Sequence, residues 1–295
     1  MKFSDLQYRF KLYCLNELGM TKKNHRSIER HIERLLEYLQ TDRLFNITSD
    51  QIRDYIMEMK QRKSWSARTI RSHLQSFRSY YHWGLKRGFT KKNPAEEIEK
   101  PKVPLQLPRC LTREEAEKIL AYCSICEWHN SFAETRNYLI LKTFLLTGLR
   151  LNELLNLQHQ DVNLETKSIH VRQGKGNKDR KVPIHPSLEV DLRSYYSMLK
   201  KKKKYSKWVF PSIHTEKKLY ERDVRAVCQR VSLRSGIYFT PHMLRHTFAR
   251  LAVDADLNLY KLKEILGHTN ISTTQIYMSV SDKALNKGFG NVELL

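Results

Sequence analysis

The chain has 295 residues, with 53 Lys and Arg against 31 Asp and Glu, for a net charge of +22. Hydrophobic residues make up 40% and aromatic residues 10%, which excludes a disordered tail; only 10 glycines exclude a collagen-like chain and lean the fold towards helix. Such a basic excess makes a polyanion the expected partner, and no apolar run approaches the roughly 18 residues of a membrane span.

Behind Met1 to Asp5 there is no signal-peptide core, so a cytoplasmic protein is expected. Residues 1 to about 100 read as helices only. Phe3, Leu6, Phe10, Tyr13 and Leu18 recur near helical spacing, and Ile28, Ile32, Leu35, Leu36 and Leu39 form a second stripe. A third, Ile52, Tyr55, Ile56 and Met59, follows the capping-box pattern Thr48 to Gln51. A fourth, Ile70, Leu74, Phe77, Tyr81 and Leu85, is closed by Gly88. Between the last two stripes lie Arg62, Lys63, Arg68, Arg71 and Arg78, with no acidic residue from Met59 to Asn93. Charge of one sign on a helix face favours phosphate contact over a merely solvated surface.

Pro101, Pro104 and Pro108 then stiffen a linker. The predicted organisation is a helical domain over residues 1–97, a linker over 98–110 and a mixed domain over 111–295. In the mixed domain, helices are predicted at 113–126, 132–147, 151–157, 187–201, 219–234, 241–254, 258–266 and 272–278. Residues 168–172 and 181–184 alternate like strands, and the turn formers between them put Lys175 and Lys178 on a hairpin tip. The fold class is therefore mainly α with a small β-sheet. Residues 1–100 carry a net charge of +9 and residues 101–295 a net of +13, so both blocks suit a two-domain clamp around DNA. Lys200 to Lys204 reads equally well as a solvated run or as a DNA contact. Cys123 and Cys126 have CxxC spacing, but no second pair accompanies them, and buried thiols are expected rather than a metal site.

Three segments carry chemistry. In Thr147-Gly-Leu-Arg-Leu-Asn-Glu153, Gly148 should cap a helix and leave Arg150 at a junction among leucines, where it must pair or bind an anion. Glu153 shares its face, and a structural Arg–Glu pair is the plain alternative. In Thr240-Pro-His-Met-Leu-Arg-His246, Thr240 and Pro241 open a helix whose first turns present His242 and Arg245 together, a phosphate-binding arrangement. In the third segment Gly267 caps a helix, His268 lies in the turn, Ser272 with Gln275 caps the next helix, and Tyr277 is placed on that helix. Taken alone, Tyr277 reads as a core residue with a satisfied hydroxyl.

The ordered set, Thr-Gly-Leu-Arg, Gly-Lys-Gly-Asn-Lys, His-x-x-Arg-His, and Leu-Gly-His with a tyrosine nine residues on, resembles the tyrosine recombinase (phage integrase) family, most closely its small Xer-like members. The resemblance spans essentially the whole chain, and no position departs from the pattern. It implies a SAM-like core-binding domain followed by a catalytic domain whose tail, residues 285–295, docks on a neighbouring subunit. It implies Arg150, Arg245 and His268 as phosphate ligands, and Tyr277 as nucleophile. Lys175 is the implied general acid, with Lys178 as the fallback if the hairpin register differs. Glu153 is a support, and His242 either accepts the tyrosine proton or binds the phosphate. The implied reaction is site-specific recombination through a 3′-phosphotyrosine and a Holliday junction, for integration and excision or for dimer resolution. The implied assembly is a homotetramer on two double-stranded DNA sites, or a heterotetramer with a related recombinase, associated with the nucleoid and needing neither cofactor nor metal. A type IB topoisomerase and a non-catalytic DNA-binding regulator are the alternatives.

Overall fold

The computed structural model describes residues 3–104, 107–172, 179–202, 206–212, 215 and 217–278. Lys175, Lys178 and the tail 285–295 lie outside the described residues. The chain divides into two compact units, Met1–Leu105 and Gln106–Leu295.

The first unit is helical: α1 (Phe3–Leu12), α2 (Lys22–Tyr38), α3 (Ser49–Lys63) and α4 (Ala67–Lys86). Side chains fix the helix starts. Thr21 accepts the N–H of Asn24, Thr48 and Gln51 form a reciprocal capping box, and Ser66 accepts the N–H of Thr69, each satisfying an otherwise orphaned donor. The four apolar stripes converge on one core, with Leu6, Ile32, Leu35, Ile52, Leu74 and Phe77 excluded from solvent. Leu85 and Leu18 are departures, 36% and 47% exposed. A π-helical turn, Tyr13–Glu17, follows α1, and its wider repeat rotates the next residue off the buried stripe.

Aromatic packing dominates this core. The buried Trp83 ring lies 5.2 Å from Phe10, 5.2 Å from Tyr80 and 5.3 Å from Phe89. Such a site cannot refill after truncation. Trp83→Ala is expected to lower stability by about 3–5 kcal/mol, read from thermal unfolding followed by near-ultraviolet circular dichroism.

The second unit opens with α5 (Arg113–Ile125), capped by Thr112 and Glu115, and α6 (Ser131–Thr147). Then come α7 (Leu151–Leu155) and the strands β1 (Val162–Asn163), β2 (Ser168–Val171) and β3 (Arg180–Pro183). The remaining helices are α8 (Pro186–Lys201), α9 (Glu221–Ser235), α10 (Pro241–Asp254), α11 (Leu259–Leu266) and α12 (Ser272–Gln275). Helix α6 is buried on several sides, because α5, α8, α9 and α10 pack around it. The sheet is antiparallel in the order β1-β2-β3, with Ile169 opposite Val182 and Val162 opposite Ile169. The hairpin strands match expectation, whereas β1 has two residues and too little alternation to be read in advance.

The C-terminal region corrects the sequence reading twice. Helix α12 ends at Gln275 rather than at residue 278, so Tyr277 sits in the turn beyond it, its N–H bonded to the Thr274 carbonyl at 3.1 Å. Ser272 does not cap α12; Asn270 does that work, accepting the Ser272 N–H at 3.0 Å.

Candidate active site

Two helix C-termini build the site. Helices α6 and α11 both end in a glycine with left-handed backbone, Gly148 at φ 61° and Gly267 at φ 63°. A Cβ at Gly148 would clash with the Phe248 ring at 2.4 Å, one at Gly267 would press on the Arg180 side chain at 3.1 Å, and at both the left-handed backbone strains any other residue. The terminal carbonyls therefore stay open, and they carry the negative end of each helix dipole.

Arginines occupy those carbonyls. Arg245 projects from the first turns of α10, which starts at Pro241 with Thr240 as its cap. Its Nη1 donates to the Gly148 carbonyl, and its Nη2 donates to the Leu266 carbonyl at 2.7 Å. Arg245 is 3% exposed, and burial, followed by repulsion from Arg150, brings its pKa down to about 10, which leaves it charged at neutral pH. Arg150 precedes α7 and donates from Nη2 to the Gly267 carbonyl at 3.0 Å.

Glu153 locks this arrangement. Its carboxylate accepts the Arg150 backbone N–H at 2.7 Å and Arg150 Nη1 at 2.8 Å, closing a capping box at the start of α7. From the other side Arg180 makes a fork, Nη1 to Oε1 at 2.8 Å and Nη2 to Oε2 at 2.7 Å, while its Nε donates to the Ile265 carbonyl at 2.6 Å. Burial alone would raise the Glu153 pKa, but the Arg180 hydrogen bonds and charge, with the Arg150 contacts, hold it at about 2. Arg180 was not singled out from the sequence. It opens β3 next to a run of charged residues, and only the fold brings it to Glu153.

Three histidines and one tyrosine complete the cluster. His268, in the turn after α11, accepts from Arg245 Nη2 at 3.1 Å through Nε2. An arginine cannot accept, so the proton of His268 sits on Nδ1 and is donated to Thr274 Oγ1 at 2.9 Å. Burial and then the Arg245 charge push its pKa down to about 4. His242 is exposed, and burial of part of its ring together with Arg245 and Arg150 lowers its pKa as well. Its ring meets that of His246 at 4.9 Å, nearly edge to face. His246 in turn places Nδ1 2.6 Å from the hydroxyl of Tyr277. The Tyr277 ring is buried among Ala249, Val253, Leu262 and Leu266, and burial pushes its pKa up to about 12 despite the opposing pull of Arg245.

Thus Arg150, Glu153, Arg245, His242, His268 and Tyr277 come together as the sequence suggested. His246 and Arg180 join them unannounced. His246 was visible in the sequence as the last residue of His-x-x-Arg-His, four residues after His242 and hence on the same helix face. Of the predicted DNA contacts, Lys178 lies outside the described residues and the other five belong to the first unit. Arg62, Lys63, Arg68 and Arg71 are exposed, with Arg62 paired to Glu58 at 3.0 Å. Arg78 is different: its guanidinium donates to the carbonyls of Ala95 at 2.9 Å and Ile98 at 2.7 Å, pinning the segment that follows α4. It is committed to the fold rather than free to meet a phosphate.

Residues 109–284 match the Phage integrase family, and residues 14–91 match the Phage integrase N-terminal SAM-like domain. The chain belongs to the phage integrase family and is a tyrosine recombinase. This recombinase is 34% identical over 240 residues to tyrosine recombinase XerA of Pyrococcus horikoshii, covering 80% of this chain and 78% of that one. It is 30% identical over 288 residues to tyrosine recombinase XerD of Rickettsia bellii, covering 92% and 93%. Its fold is shared with the XerH site-specific recombinase bound to palindromic difH substrate in a post-cleavage complex, at a TM-score of 0.76 and 21% identity over 97% of this chain and 84% of that one. It is shared also with a lambda integrase dimer bound to a COC' core site, at a TM-score of 0.74 and 18% identity over 94% and 95%.

The Glu153 pairing has a pH signature. Its folded pKa of about 2 lies below the ordinary 4.5, so the stability it contributes is complete above pH 4.5 and disappears as pH falls towards 2. Wild type is expected to lose on the order of 3 kcal/mol across that window through this group. Glu153→Gln, already destabilised at neutral pH, should converge on wild type as the pH drops, as read from urea unfolding at a series of pH values.

Proposed function

We propose that this recombinase performs site-specific DNA strand exchange through a covalent 3′-phosphotyrosine intermediate, with Tyr277 as nucleophile. The observation that carries the reading is a charge imbalance. Arg150, Arg180 and Arg245 meet a single carboxylate, Glu153, among the described residues of the cluster, and burial and cationic neighbours disfavour charge on the histidines around them. Cations held in fixed geometry by helix-end carbonyls, with their own counter-charge unfilled, form a preorganised phosphodiester site beside a buried phenol.

In this reading the scissile phosphate lies against Arg150 and Arg245, whose guanidiniums offset the charge that builds on the non-bridging oxygens. Burial and then repulsion from Arg245 keep His268 neutral; the arriving anion opposes the second, so the imidazole gains basicity and can hold a proton towards the phosphate. Tyr277 attacks phosphorus and the 5′ oxygen departs, taking a proton from a lysine of the β2–β3 hairpin, Lys175 with Lys178 as the alternative. The new Tyr–phosphate bond conserves the energy of the broken one, so rejoining to another strand needs no ATP, and the arginines supply the positive charge without a metal. Exchange in both strands passes through a Holliday junction, on two double-stranded sites held by four subunits, of this chain alone or with a related recombinase. Arg62, Lys63, Arg68 and Arg71 are the proposed backbone contacts of the helical domain, residues 1–97, with the linker at 98–110 and the catalytic domain at 111–295. The recombinase names of the relatives favour strand exchange over simple nicking and resealing by a topoisomerase and over a non-catalytic regulator.

The test is cleavage of nicked duplexes drawn from sequence flanking the gene, in the presence of EDTA. Wild type should yield a protein–DNA adduct that survives denaturation, Tyr277→Phe should bind the same duplex and yield none, and Arg150→Ala should slow adduct formation by about 100-fold or more. Cleavage that leaves no covalent adduct, or that requires a divalent metal, contradicts the proposal.

A further inference from the structure

The proton of the attacking phenol needs a destination, and two histidines of α10 are candidates. His242 and His246 lie one turn apart on the same face as Arg245. The geometry separates them. His242 is exposed, and its ring packs against that of His246 at 4.9 Å. His246 is half-buried, and its Nδ1 stands 2.6 Å from the Tyr277 oxygen.

The direction of that bond follows from chemistry. Burial favours the neutral imidazole: with His242 and Arg245 as the next contributors, it takes the His246 pKa down to about 4. Tyr277 holds its own proton for the same reason. With both partners neutral, the phenol is the stronger donor of the two, which favours the arrangement in which the Tyr277 O–H donates to an unprotonated Nδ1 and the proton of His246 sits on Nε2, on the opposite edge of the ring. The groups facing this pair are His242 and Arg245 from α10, His268 from the turn after α11, and Cys110 near Tyr277.

We infer that His246, not His242, is the residue that positions the Tyr277 oxygen and receives its proton during cleavage. The inference rests on Tyr277 being the nucleophile. The step balances: the Tyr277 O–H proton passes to His246 Nδ1 as the oxygen–phosphorus bond forms, the bond from phosphorus to the 5′ oxygen breaks, and that oxygen takes its proton from the hairpin lysine. In rejoining, the 5′ hydroxyl returns its proton to the hairpin lysine as it attacks phosphorus, the bond to Tyr277 breaks, and His246 returns its proton to the departing phenolate. A phosphodiester beside Arg245 offsets one of the charges that now disfavour protonated His246, so the acceptor strengthens when the substrate is in place. His242, at the solvent side of the cluster, is left free for the phosphate.

The experiment measures single-turnover cleavage at saturating protein, so that affinity does not enter. His246→Ala and His246→Gln are each made with the natural Tyr277 and with Tyr277 replaced by 3,5-difluorotyrosine, whose phenol is more acidic; circular dichroism checks folding. With natural tyrosine both variants should slow adduct formation by about 100-fold or more, Gln no better than Ala, because an amide accepts the hydrogen bond but not the proton. With the acidic phenol the penalty should shrink markedly. Wild-type rates in His246→Ala, restoration by Gln, or an equal penalty with both phenols overturns proton transfer to His246. An adduct that persists in Tyr277→Phe overturns the nucleophile itself and this inference with it.

Discussion

A buried cation governs the second unit. Arg245 is placed in the interior with no carboxylate of its own among the described residues, and what makes that tolerable is the carbonyls of Gly148 and Leu266 at the ends of two helices. Leaving a guanidinium unpaired in such a place costs several kcal/mol, so the helix ends, the glycines that terminate them and the route of the chain between them are fixed by one side chain. Gly148 and Gly267 both hold a left-handed backbone, Gly148 also leaves no room for a Cβ beside Phe248, and α10 must start where Thr240 and Pro241 put it so that Arg245 faces the gap. A second layer holds the first. Glu153 ties Arg150 to Arg180, and Arg180 ties β3 to the end of α11, so the sheet and the helix ends share one hydrogen-bonded frame.

The consequence of that frame is electrostatic. Carbonyl dipoles orient the arginines without neutralising them, and burial keeps the neighbouring imidazoles from adding charge of their own. Positive potential is thereby concentrated at fixed geometry and remains available to an incoming anion. Tyr277 is stored in the same cluster as a neutral phenol, packed against Leu262 and Leu266 and tethered by His246. In the proposed mechanism, a nucleophile kept protonated and shielded until an anion arrives would combine stability in the free chain with reactivity on the substrate.

Much of this was legible in the sequence, because local rules and order carried it. The caps at Thr48 and Thr240, the glycine terminators and the apolar stripes follow from helix chemistry alone, and four short motifs in fixed order identify the family resemblance. What escaped depended on tertiary contact. Arg180 and Glu153 are 27 residues apart, and nothing in the intervening sequence couples them. Arg78 reads as one more basic residue on a basic helix, yet the carbonyls of Ala95 and Ile98 claim it. The bland reading of Tyr277 as a core aromatic holds for its ring, while the hydroxyl, set against His246, is what distinguishes it. Leu18 left its stripe because a π turn changes the repeat, which a search at 3.6 residues per turn does not detect.

The central claim is that the arginine-rich helix ends present a DNA phosphate to one tyrosine. Mass spectrometry of the trapped protein–DNA adduct after proteolysis tests it most directly. The account predicts a peptide bearing a 3′-phosphonucleotide on Tyr277, and a nucleotide attached to any other residue would contradict it.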